Sequence, residues 1–194
     1  PIVIVIIGNI NVNKIVITRY SLSNKDISKD IRVAYVSDVH LSTLDKKKLD
    51  NLVKIVNDNN YDIFVIDGDL VDEFSTDRKI KDVIEELGSI KTKYGNYYVE
   101  GNHDLLTNKI RSYLTENNFI VLEDSKVLID DNYYLVGRRD KKDKLRTNLN
   151  SLTYNLDKPV ILMDHQPNIE NNMDPRVIVQ LSGHTHAGQI WPLG

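Results

Sequence analysis

Short apolar runs that stop abruptly at polar residues constrain the fold of this chain more than any other feature. Ile31 to Val36, Asp62 to Ile66 and Tyr97 to Val99 read as strands, being too short for helices and rich in β-branched or aromatic side chains. Between them, Asp45 to Asn59 carries Leu49, Leu52, Val53 and Val56 at helical spacing. Asp77 to Lys93 repeats the pattern with Ile80, Val83, Ile84 and Leu87, and a further helix is expected from Thr107 to Asn117. Strands alternating with helices predict an α/β sheet whose site lies at the carboxyl ends of the strands.

The second half has a different texture. Val121 to Ile129 and Tyr133 to Gly137 read as two strands of a hairpin turning at Asp130, Asp131 and Asn132. Val160 to Met163 and Val177 to Leu181 are two more, and Arg138 to Arg146 reads as a solvated, charged loop. The order predicts stacked mixed β-sheets flanked by helices, in one domain over residues 1–194. Pro1 to Ile7 reads as a strand, with the tail of a membrane helix as the alternative, since a bilayer span needs roughly twenty apolar residues. Lys14 to Tyr20 is a second β-branched run. A first residue that is Pro1, and an end soon after the last motif, point to a fragment lacking bracing strands at its C-terminus.

Composition excludes several chemistries. There is no cysteine, so disulfides, thiolate nucleophiles and zinc-thiolate sites are ruled out. A net charge of -3 gives no general attraction to nucleic acid, and an anionic substrate must be drawn by local charge.

The polar residues at the strand ends are of one kind. All five histidines lie there, in Asp38-Val39-His40, Asn102-His103-Asp104, Asp164-His165 and His184-Thr185-His186. Imidazole, carboxylate and amide oxygen together suit borderline divalent ions such as manganese, iron or zinc. Asp38, His40, Asp69, Asn102, His165, His184 and His186 make seven candidate donors, whereas a catalytic zinc keeps three protein ligands. Two divalent ions are the economical expectation. At about 3.5 Å two bare dications repel by about 19 kcal/mol at an effective dielectric near 20, so anionic groups must lie between or beside them. A bridging carboxylate, a bridging hydroxide and a second aspartate leave a charge of about +1, which still attracts phosphate.

The series Asp38-Val39-His40, Gly68-Asp69-Leu70-Val71-Asp72, Gly101-Asn102-His103-Asp104, His165 and Gly183-His184-Thr185-His186 resembles the calcineurin-like metallophosphoesterase superfamily, in order and content. Its blocks span about 150 residues. The resemblance implies a metallo-dependent phosphatase-like αββα sandwich. It further implies that Asp38, His40 and His186 hold one metal, that Asn102, His165 and His184 hold the other, and that Asp69 bridges them. His103 would face the substrate, with Asp72 accepting from its other ring nitrogen to fix the tautomer. A metal-bridging hydroxide would attack phosphorus in line with the leaving group. The residues flanking the motifs look most like the bacterial, often membrane-associated phosphodiesterase branch.

Asp67, Asp104 and Asp164 read as supports behind the ligands or as cap or turn residues, the latter being favoured, and nothing ties Asn168 or Gln189 to substrate. Asp72-Glu73 and His103-Asp104 depart from the protein serine/threonine phosphatase pattern of Arg-Gly and Glu at those places. The expected activity is phosphodiester or phosphomonoester hydrolysis with two metal ions, manganese favoured. A catalytically silent binding module and a nuclease of the same superfamily are the rivals. The substrate would be a phosphoester, nucleotide-linked or lipid-linked, held in the cytoplasm or at a membrane surface. Arg138 and Arg139 are expected to reach an anionic head group from the charged loop.

Overall fold

The computed structural model describes residues 14–104, 106–167 and 173–186. Two four-stranded sheets lie face to face. In the first, β1 (Val33–Val36), β2 (Ile63–Asp67), β3 (Asn96–Val99) and β4 (Phe119–Val121) are parallel and lie in chain order. In the second, β5 (Ser125–Ile129) is antiparallel to β6 (Tyr133–Gly137), and β7 (Val160–Met163) and β8 (Val177–Leu181) continue parallel to β6. Three helices, α1 (Lys46–Asp58), α2 (Asp77–Leu87) and α3 (Asn108–Glu116), join the strands of the first sheet. A short helix, α4 (Leu149–Thr153), precedes β7. The expected stacked α/β architecture is observed.

Strand alternation sorts the apolar residues into three cores. Phe64, Ile66 and Tyr98 face α1, α2 and α3, packing with Val53, Val56, Ile84 and Leu114. Ile63, Val65, Tyr97 and Val99 point the other way and meet Leu135, Ile161 and Met163 of the second sheet. Val136, Val160 and Leu162 form the outer face of that sheet and pack on Leu149 and Leu152 of α4. Every residue of β2 is buried, as a strand with apolar layers on both faces must be. The long helices start on side-chain caps: the Asp45 carboxylate accepts from Lys48 N, and the Thr76 and Thr107 hydroxyls accept from Lys79 N and Ile110 N.

Several expectations are corrected. Val121 to Ile129 is two strands, with Leu122 to Asp124 crossing between sheets; Asp124 takes a left-handed φ of 47° and breaks the run. The second helix ends at Leu87 and not at Lys93. Lys14 to Tyr20 forms no strand, and Val16 and Tyr20 lie open to solvent, because a β-branched run is a strand only where a partner offers a ladder. Helix α4 is not anticipated by the periodicity, being five residues long. The run Pro1 to Ile7 lies outside the described residues, as do Asn168 and Gln189.

The charged loop after β6 is the largest correction. Only its tip is solvated. The Arg138 side chain is 5% exposed and pairs with Asp164 at 3.2 Å, and Arg139 pairs with Glu123 and Asp143. The two arginines expected to greet a substrate are used inside the fold. A run of charges reads as solvated until its counter-charges, distant in sequence, are brought alongside.

Candidate metal centre

Five strand ends deliver the site. Asp38 and His40 follow β1, Asp69 follows β2, Asn102 and His103 follow β3, His165 follows β7, and His184 and His186 follow β8. The first two loops are laced by main-chain bonds, Asp38 N to Gly68 O at 3.1 Å and His40 N to Asp69 O at 3.0 Å. The second and third are held by Asp104, whose buried carboxylate accepts from Asp69 N (2.7 Å), Val71 N (2.7 Å) and Gly101 N (2.8 Å). Asp104 is therefore more than a turn residue. Burial raises its pKa, although those three donors favour the charged form.

The loops of the two sheets are sewn together at the same place. The Asp38 carboxylate accepts from Ser37 Oγ at 2.7 Å and from His184 N, 3.0 and 3.1 Å from its two oxygens. Gly183 N donates to His165 O at 2.9 Å. His165 Nδ1 lies 2.7 Å from the Asp67 carbonyl, so its N–H points there and Nε2 is turned toward the site. Gly68, at φ +80°, allows this approach: a Cβ at that position would stand 2.5 Å from His165 Nδ1.

Two groups of potential metal donors result. Asp38, His40 and His186 form one, and Asp69, His165 and His184 the other, with donor atoms inside each group within 4.8 Å of one another. The His40 and His186 rings stack with centroids 5.3 Å apart, and His165 meets His184 edge-on at 5.6 Å. The last loop is not extended. His184 and His186 have φ of 66° and 50°, and each ring turns to a different group.

The donor set fits divalent cations. Asp69 Oδ2, Asn102 Oδ1 and His165 Nε2 are buried and make no hydrogen bond, although buried polar atoms are rarely left bare. Asp69 Oδ2 and His165 Nε2 face each other at 3.2 Å. Burial opposes charge on both, yet each favours the charged form of the other. The Asp69 carboxyl is held below its usual range by His165 and by His103 N, which donates to Oδ1 at 2.8 Å. The His165 imidazole is pushed up to about 9 by Asp69 and the Asp67 carbonyl, against the effect of burial.

His103 stands apart from both groups, half-exposed, its ring edge-on to His40 at 5.5 Å. Asp72 does not accept from it. The Asp72 carboxylate instead accepts from Phe74 N in its own turn and from Ser42 N in the loop after β1, both at 3.0 Å. The acid facing His103 Nδ1 is Glu73, at 3.8 Å. Sequence reasoning passed over Ser37 and gave Asp67 too small a part. Ser37 braces Asp38, and Asp67 is fully buried with its pKa raised to about 8 by burial, its Oδ2 3.2 Å from the Tyr35 hydroxyl. Their only sequence signal is adjacency to a strand end.

Known proteins share the sequence and the fold of this chain. The chain is 32% identical over 186 residues to a zebrafish (Danio rerio) transmembrane protein with metallophosphoesterase domain, covering 84% of this chain and 42% of that protein. It is also 32% identical over 178 residues to an uncharacterized metallophosphoesterase of Helicobacter pylori, covering 86% and 47%. The chain thus spans less than half the length of these relatives. TT1561 of Thermus thermophilus shares the fold, with a TM-score of 0.56 at 15% identity over 75% of this chain and 72% of that one. The sequence profile for calcineurin-like phosphoesterases matches residues 31–188, and the chain belongs to that metal-dependent family.

Proposed function

We propose that this chain hydrolyses phosphoesters at a centre of two divalent ions, one held by Asp38, His40 and His186 and the other by Asn102, His165 and His184, with Asp69 between them. The observation that supports this most is the pair of three-donor groups where the strand ends of the two sheets meet, beside a buried amide oxygen that lacks any hydrogen bond. Bound there, two such ions would supply Lewis acidity toward a phosphoryl oxygen and lower the pKa of water toward neutrality. The remaining work falls to the chain. His103, half-exposed and within ring contact of His40, is the group free to meet the substrate and give a proton to the leaving oxygen. Asp104 and the Asp67 carbonyl keep the ligands aimed before any ion arrives.

Manganese is the favoured ion, since the donors mix imidazole with carboxylate and amide oxygen. A phosphodiester is the favoured substrate, and the resemblance of the flanking motifs to a membrane-associated bacterial branch supports one carrying a lipid or nucleotide. The zebrafish relative is named as a transmembrane protein; among the described residues here no helix is long and apolar enough to cross a membrane. A cytoplasmic and a membrane-surface location both fit those residues.

The test is turnover of a chromogenic phosphodiester and the matching monoester after manganese loading, with metal content measured on the same sample. Turnover of the diester faster than the monoester is expected. Protein carrying two manganese ions and hydrolysing neither ester would reject the reading.

A further inference from the structure

The residues on either side of His165 are both gripped by one loop, residues 138–147, which rises from the neighbouring strand end. Asp164, before the histidine, receives Arg138 Nη1 at 3.2 Å and both Arg146 nitrogens, at 3.1 and 2.6 Å. Gln166, after it, donates Nε2 to Asp140 at 3.0 Å. The charged side chains are enclosed: Asp164 is 2% exposed, Arg138 5% and Arg146 10%. The loop itself is tied down at both ends by Asp124 in the crossing between sheets, which accepts from Arg139 N at 3.2 Å and Thr147 N at 2.7 Å.

Resting on the metal-centre reading above, we infer that the 138–147 loop is a positioning clamp that sets the affinity of the ion held through His165. A buried ion pair returns little net stability, because removing two charges from water costs about as much as their attraction restores. Fixed geometry is what such a pair supplies. Two charged planes on Asp164 and one amide on Gln166 leave the intervening residue little room to rotate or slide, and His165 makes its own bond to Asp67 O from that held position. Groups bonded directly to a ligand alter metal affinity by about 10- to 100-fold when removed, and this clamp acts on His165 through its two chain neighbours.

Manganese titrated calorimetrically into metal-free full chain tests the clamp, with folding checked by circular dichroism. Arg146→Met and Gln166→Leu should each weaken one of two binding steps, Arg146→Met by about 10-fold or more, and leave the other step at wild-type affinity. Arg146→Lys should recover much of the loss. Arg176→Met, in a network joining Asp174 to Leu156 at the other end of β8, should lower the melting temperature without altering either step. If Arg146→Met fails to fold, Gln166→Leu carries the test, since it leaves the arginines on Asp164. Unchanged affinities in both variants overturn the clamp, as does an equal loss in Arg176→Met, which would mean general loosening. Wild-type protein that binds no divalent ion overturns the metal-centre reading itself, and the clamp with it.

Discussion

The ring of His165 reaches across the two sheets to the main chain of Asp67, Nδ1 to O at 2.7 Å. This bond crosses from the end of β7 to the end of β2, and it leaves Nε2 facing the carboxylate of Asp69. On the proposed assignment, one imidazole therefore serves both an ion and the contact between sheets.

Ligand and substrate-facing roles can be separated by substitution. Asp69→Ala should lose at least one equivalent of manganese by equilibrium dialysis. His103→Ala should keep the metal and lose about 10²- to 10⁴-fold in kcat, the usual worth of a general acid. Metal loss in the second variant with retention in the first would show the roles are exchanged.

Gly68 sits where a side chain has no room. Gly68→Ala combines a φ of +80° with a Cβ 2.5 Å from His165 Nδ1, a clash only backbone movement relieves. The expected cost is about 2 kcal/mol or more, read from the urea midpoint, together with weakened metal uptake.

Asp104 holds three buried main-chain donors. Asp104→Ala would strand them at about 1–3 kcal/mol each, so a loss of at least about 3 kcal/mol is expected in urea unfolding. A loss below 1 kcal/mol would mean that water replaces the carboxylate.

Acid stability is linked to Asp174. Arg176 holds its carboxyl well below the usual range, helped by the Thr153 hydroxyl and opposed by burial. A carboxyl with a depressed folded pKa stabilises fully above its unfolded value of about 3.9 and loses that contribution as pH falls toward the folded value. Asp174→Asn should therefore be less stable than wild type by a constant margin from pH 7 to about 5. Its deficit should shrink below pH 4, as followed by urea midpoints across that series.

The layered fold was legible because its strands are short, apolar and separated by helical periods, which leaves few ways to stack them. The ligand candidates were legible for a related reason: Asp38, Asp69, Asn102 and His165 stand where buried strands meet solvent, and polar residues recur there only for chemistry or turns. Side-chain partnerships were not legible. Nothing local to Arg138 announces Asp164, 26 positions away. The resemblance placed Asp72 on His103, but its carboxylate is taken by Phe74 N in its own turn and by Ser42 N from the loop after β1. The conformation of the His184 loop escaped as well, since alternation in sequence says nothing of a left-handed backbone.

That backbone has an evolutionary consequence. Asp38, His40, Asp69, His184 and His186 all take φ between 46° and 66°, a region in which glycine rests more comfortably than any of them. Drift to glycine at His40 or His186 would relax the backbone while emptying the donor set, whereas at Asp38 and Asp69 it would also strand the donors those carboxylates hold. Inactive descendants of such a chain should therefore carry glycine first at the two histidine positions.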